Sequence, residues 1–305
     1  MTATNGNGSL STRAMLVSLE INMWTARRLD KKITNEVAKD YGVGAAVGRY
    51  NKCLLIEDIN GTPAKEFKAV ESAGNAARNE HYTQSLPWGQ EGSRIVTAAN
   101  FIEWANAMRE AKDVFLKARQ DFIDAYPRLV EQSRRYLTQM EATTGKTMFN
   151  ESNYPTQARI ERKFRFATGV LPLPDAGDFR VQLSSPQVAA IKAQIEGTIN
   201  ATVETATQDL FERLNDLARR VAHLADPRSV VQKALAEDIR SVCAVAGRLN
   251  LTNNSYIEAF RERIMQELSF NPDMLRAIPE EREAIAARAS VIYNDMAAFM
   301  RPIGD

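Results

Sequence analysis

The chain has few of the residues that build metal sites and disulfide scaffolds. Its 305 residues include two cysteines, Cys53 and Cys243, and two histidines, His81 and His223. A cysteine–histidine zinc framework within one chain is therefore excluded, and a disulfide scaffold is not expected. We predict no metal site, no cofactor and two free thiols. No uncharged apolar run reaches the roughly 18 residues that a transmembrane helix needs, so we predict no membrane contact.

An excess of charge of either sign is also absent. Lysine and arginine number 39 and the acidic residues 38, which leaves a net charge of +1. This balance argues against a globally basic nucleic-acid binder but allows a local basic patch. The chain has no secretory signal pattern, so we expect a cytoplasmic protein.

Two long helices dominate the predicted fold. After Thr97, apolar residues recur alternately every three and four positions, which predicts a helix with a coiled-coil-like seam that ends or kinks at Pro127. The seam consists of Phe101, Trp104, Met108, Ala111, Phe115, Ala118, Phe122 and Ala125. From Met108 onward, large residues alternate with alanine, so a partner helix can approach this face closely.

A second helix, over residues 186–224, carries a similar apolar stripe. At about 1.5 Å per residue it would be roughly 58 Å long, and a helix with one apolar face needs a partner along its length. We expect the 98–141 segment to be this partner, with a second copy of the chain as the alternative. The predicted fold class is mainly α, an elongated helical hairpin or bundle with a small β element.

The β element is predicted from alternating apolar and polar residues. This alternation occurs over residues 15–24, and residues 166–174 and 178–183 can form two further strands. We divide the chain into a disordered tail (1–13), a helical hairpin or bundle (14–225) and a C-terminal helical lobe (226–305). The bundle would contain a small β insertion at about 166–183.

No arrangement of catalytic residues is apparent, so we do not predict an enzyme. Large apolar residues are candidates for binding a protein partner, because such side chains are enriched at the centres of interfaces. These candidates are Trp24, Trp88, Phe101, Trp104, Met108, Phe115 and Phe122. The alternative interpretation is packing in the core.

A second candidate site combines basic and aromatic residues between positions 154 and 166. Cations attract phosphates and aromatic rings stack on unpaired bases, so this combination is typical of a groove for single-stranded nucleic acid. The candidates are Tyr154, Arg159, Arg162, Lys163, Arg165 and Phe166. The alternative is a solvated basic face whose phenylalanines belong to the core.

Five segments, in a fixed order over roughly residues 15–225, carry a resemblance to a known family. They are LEINMWTARRLDKK (19–32), SLPWGQEGSRIV (85–96), DAYPRLVEQSRRYL (124–137), NYPTQARIERKFRF (153–166) and PLPDAGDFRV (172–181). Together they resemble an uncharacterised family of bacteriophage and prophage proteins. That family has no established catalytic residues, so the resemblance implies no site. Its genes often lie near those of MoxR/CobS-like AAA+ ATPases, which implies an ATPase as partner.

These observations lead to two functional hypotheses. The first is a non-enzymatic, phage-encoded interaction protein of the host cytoplasm that self-associates or acts as an adaptor for an AAA+ ATPase. The alternative is a single-stranded nucleic-acid-binding protein of phage DNA metabolism. A heptad seam serves intramolecular and intermolecular pairing equally well, so the sequence leaves the oligomeric state open.

Overall fold

A computed structural model of the chain is mainly helical with a small β element, as the sequence predicted. It describes residues 10–42, 50–58, 60–89, 92–145, 148–173 and 185–300. The helices are α1 (Lys31–Asp40), α2 (Lys65–Thr83), α3 (Ala98–Thr144), α4 (Gln157–Glu161), α5 (Ser185–Ala222), α6 (Lys233–Leu249), α7 (Ser255–Glu267), α8 (Pro272–Ala277) and α9 (Pro279–Met300). The strands are β1 (Ala14–Asn22), β2 (Arg27–Leu29), β3 (Asn51–Cys53), β4 (Leu86–Pro87), β5 (Arg94–Thr97) and β6 (Arg165–Pro172).

The strands form a four-stranded sheet of order β4-β5-β1-β6 and a two-stranded sheet of β2 and β3. β5 is antiparallel to both β1 and β4, with Ala14 opposite Thr97. The strands predicted at residues 15–24 and 166–174 are thus present as β1 and β6. The strand predicted at 178–183 lies outside the described residues. So does most of the tail predicted at 1–13, of which Leu10–Thr12 form a short 3-10 helix.

The chain divides into two compact units. Unit 1 comprises residues 1–18, 80–107 and 169–305, and unit 2 comprises residues 19–79 and 108–168. β1, α2, α3 and β6 each contribute residues to both units.

Unit 1 is built around α5. Leu210, Leu214, Leu217 and Val221 on its apolar stripe are at most 1% exposed, because α9, α6 and α7 pack against this helix. The expected pairing of α5 with the 98–141 segment is therefore corrected: α9 is the helix that runs beside α5. The residues on both sides of the boundary predicted between 225 and 226 belong to unit 1, and their helices share one core.

Unit 2 contains the larger part of the predicted α3 seam. Phe115 and Phe122 are fully buried, and the ring centroid of Phe67 on α2 lies 5.4 Å from that of Phe122. The alternation of large residues with alanine does mark a helix face covered by another helix. The covering helix is α2, which precedes α3 in the chain, rather than the segment at 186–224.

The sequence predicted an end or a kink at Pro127, and α3 does not end there but continues to Thr144. Proline has no N–H, so the carbonyl of Ile123, four residues earlier, loses its helical donor. The Nε2 atom of Gln157, the first residue of α4, donates to this carbonyl oxygen at 2.9 Å. A side chain from the next helix thus replaces the missing backbone donor.

Candidate functional site

A cleft at the end of β1 brings together basic residues and a tryptophan. We call it the β1 cleft; its volume is about 800 Å³, and all of its lining residues belong to unit 2. They are Ile21, Asn22, Met23, Trp24, Thr25, Glu71, Arg78, Arg162, Lys163 and Arg165. Three chain segments that are distant in sequence therefore form one surface.

One wall of the β1 cleft comes from α2. Glu71, Gly74 and Arg78 are spaced by three and four residues, so they share one face of this helix. A Cβ atom on Gly74 would lie 2.8 Å from the Sδ atom of Met23, so the absence of a side chain lets the end of β1 pack closely on α2. Arg78 also stabilises the packing of β1 on α2, because its Nη2 donates to the carbonyl oxygen of Ile21 at 2.9 Å.

The aromatic member of the cleft is Trp24, which is half-buried. Its ring meets those of Phe67 and Tyr126 edge-on, at centroid distances of 6.1 and 6.0 Å. Two residues later, the fully buried Ala26 adopts a φ of +49°. This left-handed conformation is unfavourable for alanine by about 1–2 kcal/mol, and such strain is concentrated at functional sites.

The other wall follows α4. Ile160, Phe164 and Phe166 point into the core of unit 2, which leaves the residues between them on the surface. Arg162 and Lys163 are therefore exposed in the turn that leads into β6. The predicted interleaving of basic and apolar residues is present here as an outer cationic face over an inner apolar one.

Among the described residues, little negative charge compensates the positive charge of Arg162, Lys163 and Arg165. The Nε of Arg162 donates to the carbonyl oxygen of Ala158 at 3.2 Å, and Nη1 of Arg165 lies 3.4 Å from Oε1 of Glu20. Lys163 makes no ion pair within the described part of the chain. Exposed pairs such as Arg165–Glu20 contribute little to stability, so the field of these cations is available to an anionic ligand.

Three of the six residues predicted to bind nucleic acid do not line the β1 cleft. Phe166 is 8% exposed and packs 5.6 Å from Phe115, measured between ring centroids. The hydroxyl of Tyr154 donates to the carbonyl oxygen of Leu54 at 2.8 Å, and burial raises the pKa of this phenol. Arg159 is exposed outside the cleft.

Most of the residues predicted to bind a protein partner are interior. Trp104, Met108, Phe115 and Phe122 are at most 3% exposed, so intramolecular packing already covers them. We therefore do not propose these four residues as a docking surface. Phe101 and Trp88 are half-buried, the latter against the core of unit 1, and Trp24 lies in the β1 cleft.

Trp104 is hydrogen-bonded to a buried histidine. Its indole Nε1 donates to Nδ1 of His81 at 3.0 Å, and His81 is 3% exposed. Burial, reinforced by the positive charge of Arg94, lowers the pKa of His81 to about 4. His81 is therefore a neutral acceptor in the core at pH 7.

A second hollow, of about 760 Å³, lies in unit 1 at the end of α5. Arg219 and Arg220 line it, but they pair with Asp216 and Asp238 respectively. Their charge is thus largely compensated within the chain. The β1 cleft is the better candidate site, because its cations outnumber its one carboxylate among the described lining residues.

Sequence reasoning missed Glu71, Arg78 and Met23 and assigned Trp24 to a different role. The sequence spacing places Glu71 and Arg78 on one helix face, but no sequence signal indicated that this face lies near residues 162–165.

No protein-family model, curated protein or solved structure matches the chain. Among the described residues, no group of three histidine, cysteine or acidic side chains is placed to hold a metal ion. Within the same part of the chain, no helix is both long and apolar enough to cross a membrane.

Proposed function

We propose that the protein binds single-stranded nucleic acid in the β1 cleft. The observation that carries the proposal is the convergence of Arg78, Arg162, Lys163 and Arg165 around the half-buried Trp24. Phosphates pair with cations, while bases stack on an aromatic ring, and such stacking contributes about 1–3 kcal/mol per base.

The chemistry of the cleft favours a single strand over a duplex. In a duplex the base faces are already stacked on one another, so they are not available to Trp24. An unpaired segment presents its base faces and its phosphates together. A volume of about 800 Å³ accommodates only a short segment, and the exposed cations guide the backbone on either side.

Fluorescence anisotropy with a labelled single-stranded oligonucleotide tests this proposal. The variant Arg162→Ala/Lys163→Ala removes two exposed charges from the cleft without touching the core. Its matched control is Lys112→Ala/Lys117→Ala, which removes the same charge from exposed positions on α3 in the same unit. We expect about tenfold weaker binding for the cleft variant and little change for the control. Equal weakening in both variants, or no binding by the wild type, would contradict the proposal.

A protein partner is the second candidate function, and one surface feature favours it. Tyr256 and Phe299 are 57% and 44% exposed, and their ring centroids are 4.6 Å apart. Adjacent exposed aromatic rings are typical of interaction sites. The partner expected from the family resemblance is an AAA+ ATPase, and the partner expected from the long apolar helical stripes is a second copy of the chain, both in the cytoplasm of a phage-infected host. Light scattering of Tyr256→Ser/Phe299→Ser tests self-association, which this variant should abolish.

A further inference from the structure

We propose that the β1 cleft selects guanine over the other bases through the carboxylate of Glu71. This inference rests on the proposed nucleic-acid function and names the base that the cleft recognises. Trp24 cannot supply such selectivity, because stacking on an aromatic ring tolerates every base. A hydrogen-bonding group is needed, and Glu71 is the one acidic side chain among the described residues that line the cleft.

The carboxylate of Glu71 is available to a ligand. Within the described residues it makes no hydrogen bond and no ion pair, although four cations line the same cleft. Arg78 donates to Asn75 and Ile21, and Arg165 pairs with Glu20. The acceptor oxygens of Glu71 are therefore unpaired in the same cleft as the Trp24 ring that would stack on the base.

The position of Glu71 separates base recognition from phosphate binding. It precedes Arg78 by seven residues on the same face of α2, which is about 10.5 Å along the helix axis. Arg162, Lys163 and Arg165 approach from the opposite wall, after α4. A nucleotide can thus place its base edge toward Glu71 and its phosphate toward the cations.

Guanine fits this carboxylate better than the other bases. Its Watson–Crick edge offers two adjacent donors, N1–H and the N2 amino group, which match the two oxygens of a carboxylate as a guanidinium does. Adenine and cytosine each offer one amino donor beside a ring-nitrogen acceptor, which would face a carboxylate oxygen. Uracil and thymine offer one N–H between two carbonyl acceptors. A bidentate pair forms only with guanine.

The test is calorimetric titration of the full chain with two sets of probes. One set is the four nucleoside 5′-monophosphates, and the other is thymidine pentanucleotides with each of the four bases at the central position. We expect guanine to bind about tenfold more tightly than adenine in both sets. Glu71→Gln should reduce this ratio to within about twofold, because an amide offers one acceptor and one donor.

The ratio between bases is the decisive quantity, because removing a negative charge from a cationic cleft strengthens phosphate binding generally. Glu110→Gln on α3 is the control for the charge change, since Glu110 is exposed outside the cleft. It should leave the guanine preference unchanged. Trp24→Ala should weaken the binding of all four bases alike.

The outcomes separate this inference from the proposed function. Equal affinity for all four bases overturns guanine selection and leaves single-strand binding intact. A guanine preference that survives Glu71→Gln overturns the role of Glu71. A preference found with the mononucleotides alone supports guanine recognition, identifies a free nucleotide as the ligand and contradicts the single-strand function.

Discussion

The salt dependence of binding gives a quantitative test of how many cleft cations contact phosphates. If Arg78, Arg162, Lys163 and Arg165 each contact one phosphate, the logarithm of the binding constant falls with the logarithm of salt concentration with a slope of about −2.8. Between about 50 mM and about 200 mM salt, affinity should then fall by about 50-fold.

The variant Arg162→Ala/Lys163→Ala should halve this slope. Two contacts remain, so the slope becomes about −1.4 and the loss of affinity over the same range becomes about sevenfold. Anisotropy titrations at four or five salt concentrations measure both slopes. A slope that is unchanged in this variant, or reduced equally by Lys112→Ala/Lys117→Ala, would refute the assignment of phosphate contacts to the β1 cleft.

Three further predictions concern stability, each measured as a free energy of unfolding in urea. The free energy of unfolding of Ala26→Gly should lie within about 1 kcal/mol of the wild-type value, because relief of left-handed strain offsets the lost buried methyl group. Ala26→Val should be destabilising by about 2 kcal/mol or more. Gln157→Leu should cost about 1–2 kcal/mol, since the carbonyl of Ile123 then has no donor; no loss would show that water replaces the amide. The pKa of His81 is about 4 in the folded chain and near its ordinary value of 6.5 in the unfolded chain, so the unfolded chain binds the extra proton. Neutral His81 therefore stabilises the folded chain fully above pH 6.5, and the free energy of unfolding should fall by up to about 3 kcal/mol as the pH drops toward 4. If His81→Gln were equally sensitive to acid, this prediction would be contradicted.

The helices could be predicted from the sequence because their signals are local. The 3/4 spacing in α3 and α5 reports an apolar face directly, and proline or capping residues mark many of the ends. The identity of the partner helix is not a local property, since an apolar stripe can pack against any apolar face. For this reason the sequence did not reveal that α2 completes the core around α3 and that α9 completes the core around α5.

Capping illustrates the same distinction at the start of α7. Ser255 and Glu258 match a capping box, and a helix does begin there. The N-cap is nevertheless Asn254, whose Oδ1 accepts from the N–H of Tyr256 and of Ile257. Glu258 instead accepts from Asn250, because the preceding turn brings this amide within reach. The sequence locates the start of the helix, while the conformation of the preceding loop determines which side chain caps it.

The candidate site was partly predictable for a related reason. Arg162, Lys163 and Arg165 alternate with buried phenylalanines, so their exposure follows from the local pattern. Glu71 and Arg78 lie more than 80 residues earlier, and no local signal connects them to this segment. Gly74 lets α2 pack closely against Met23 at the end of β1, a contact that only the folded chain reveals.

Photo-cross-linking tests most directly whether a strand occupies the β1 cleft. A guanine-containing single-stranded oligonucleotide with 5-iodouracil is irradiated with the full chain, and mass spectrometry identifies the modified peptide. We predict adducts at Trp24 or its neighbours in residues 21–25, which disappear in Arg162→Ala/Lys163→Ala and persist in Lys112→Ala/Lys117→Ala. Adducts confined to unit 1, or adducts that the cleft variant leaves unchanged, would contradict it.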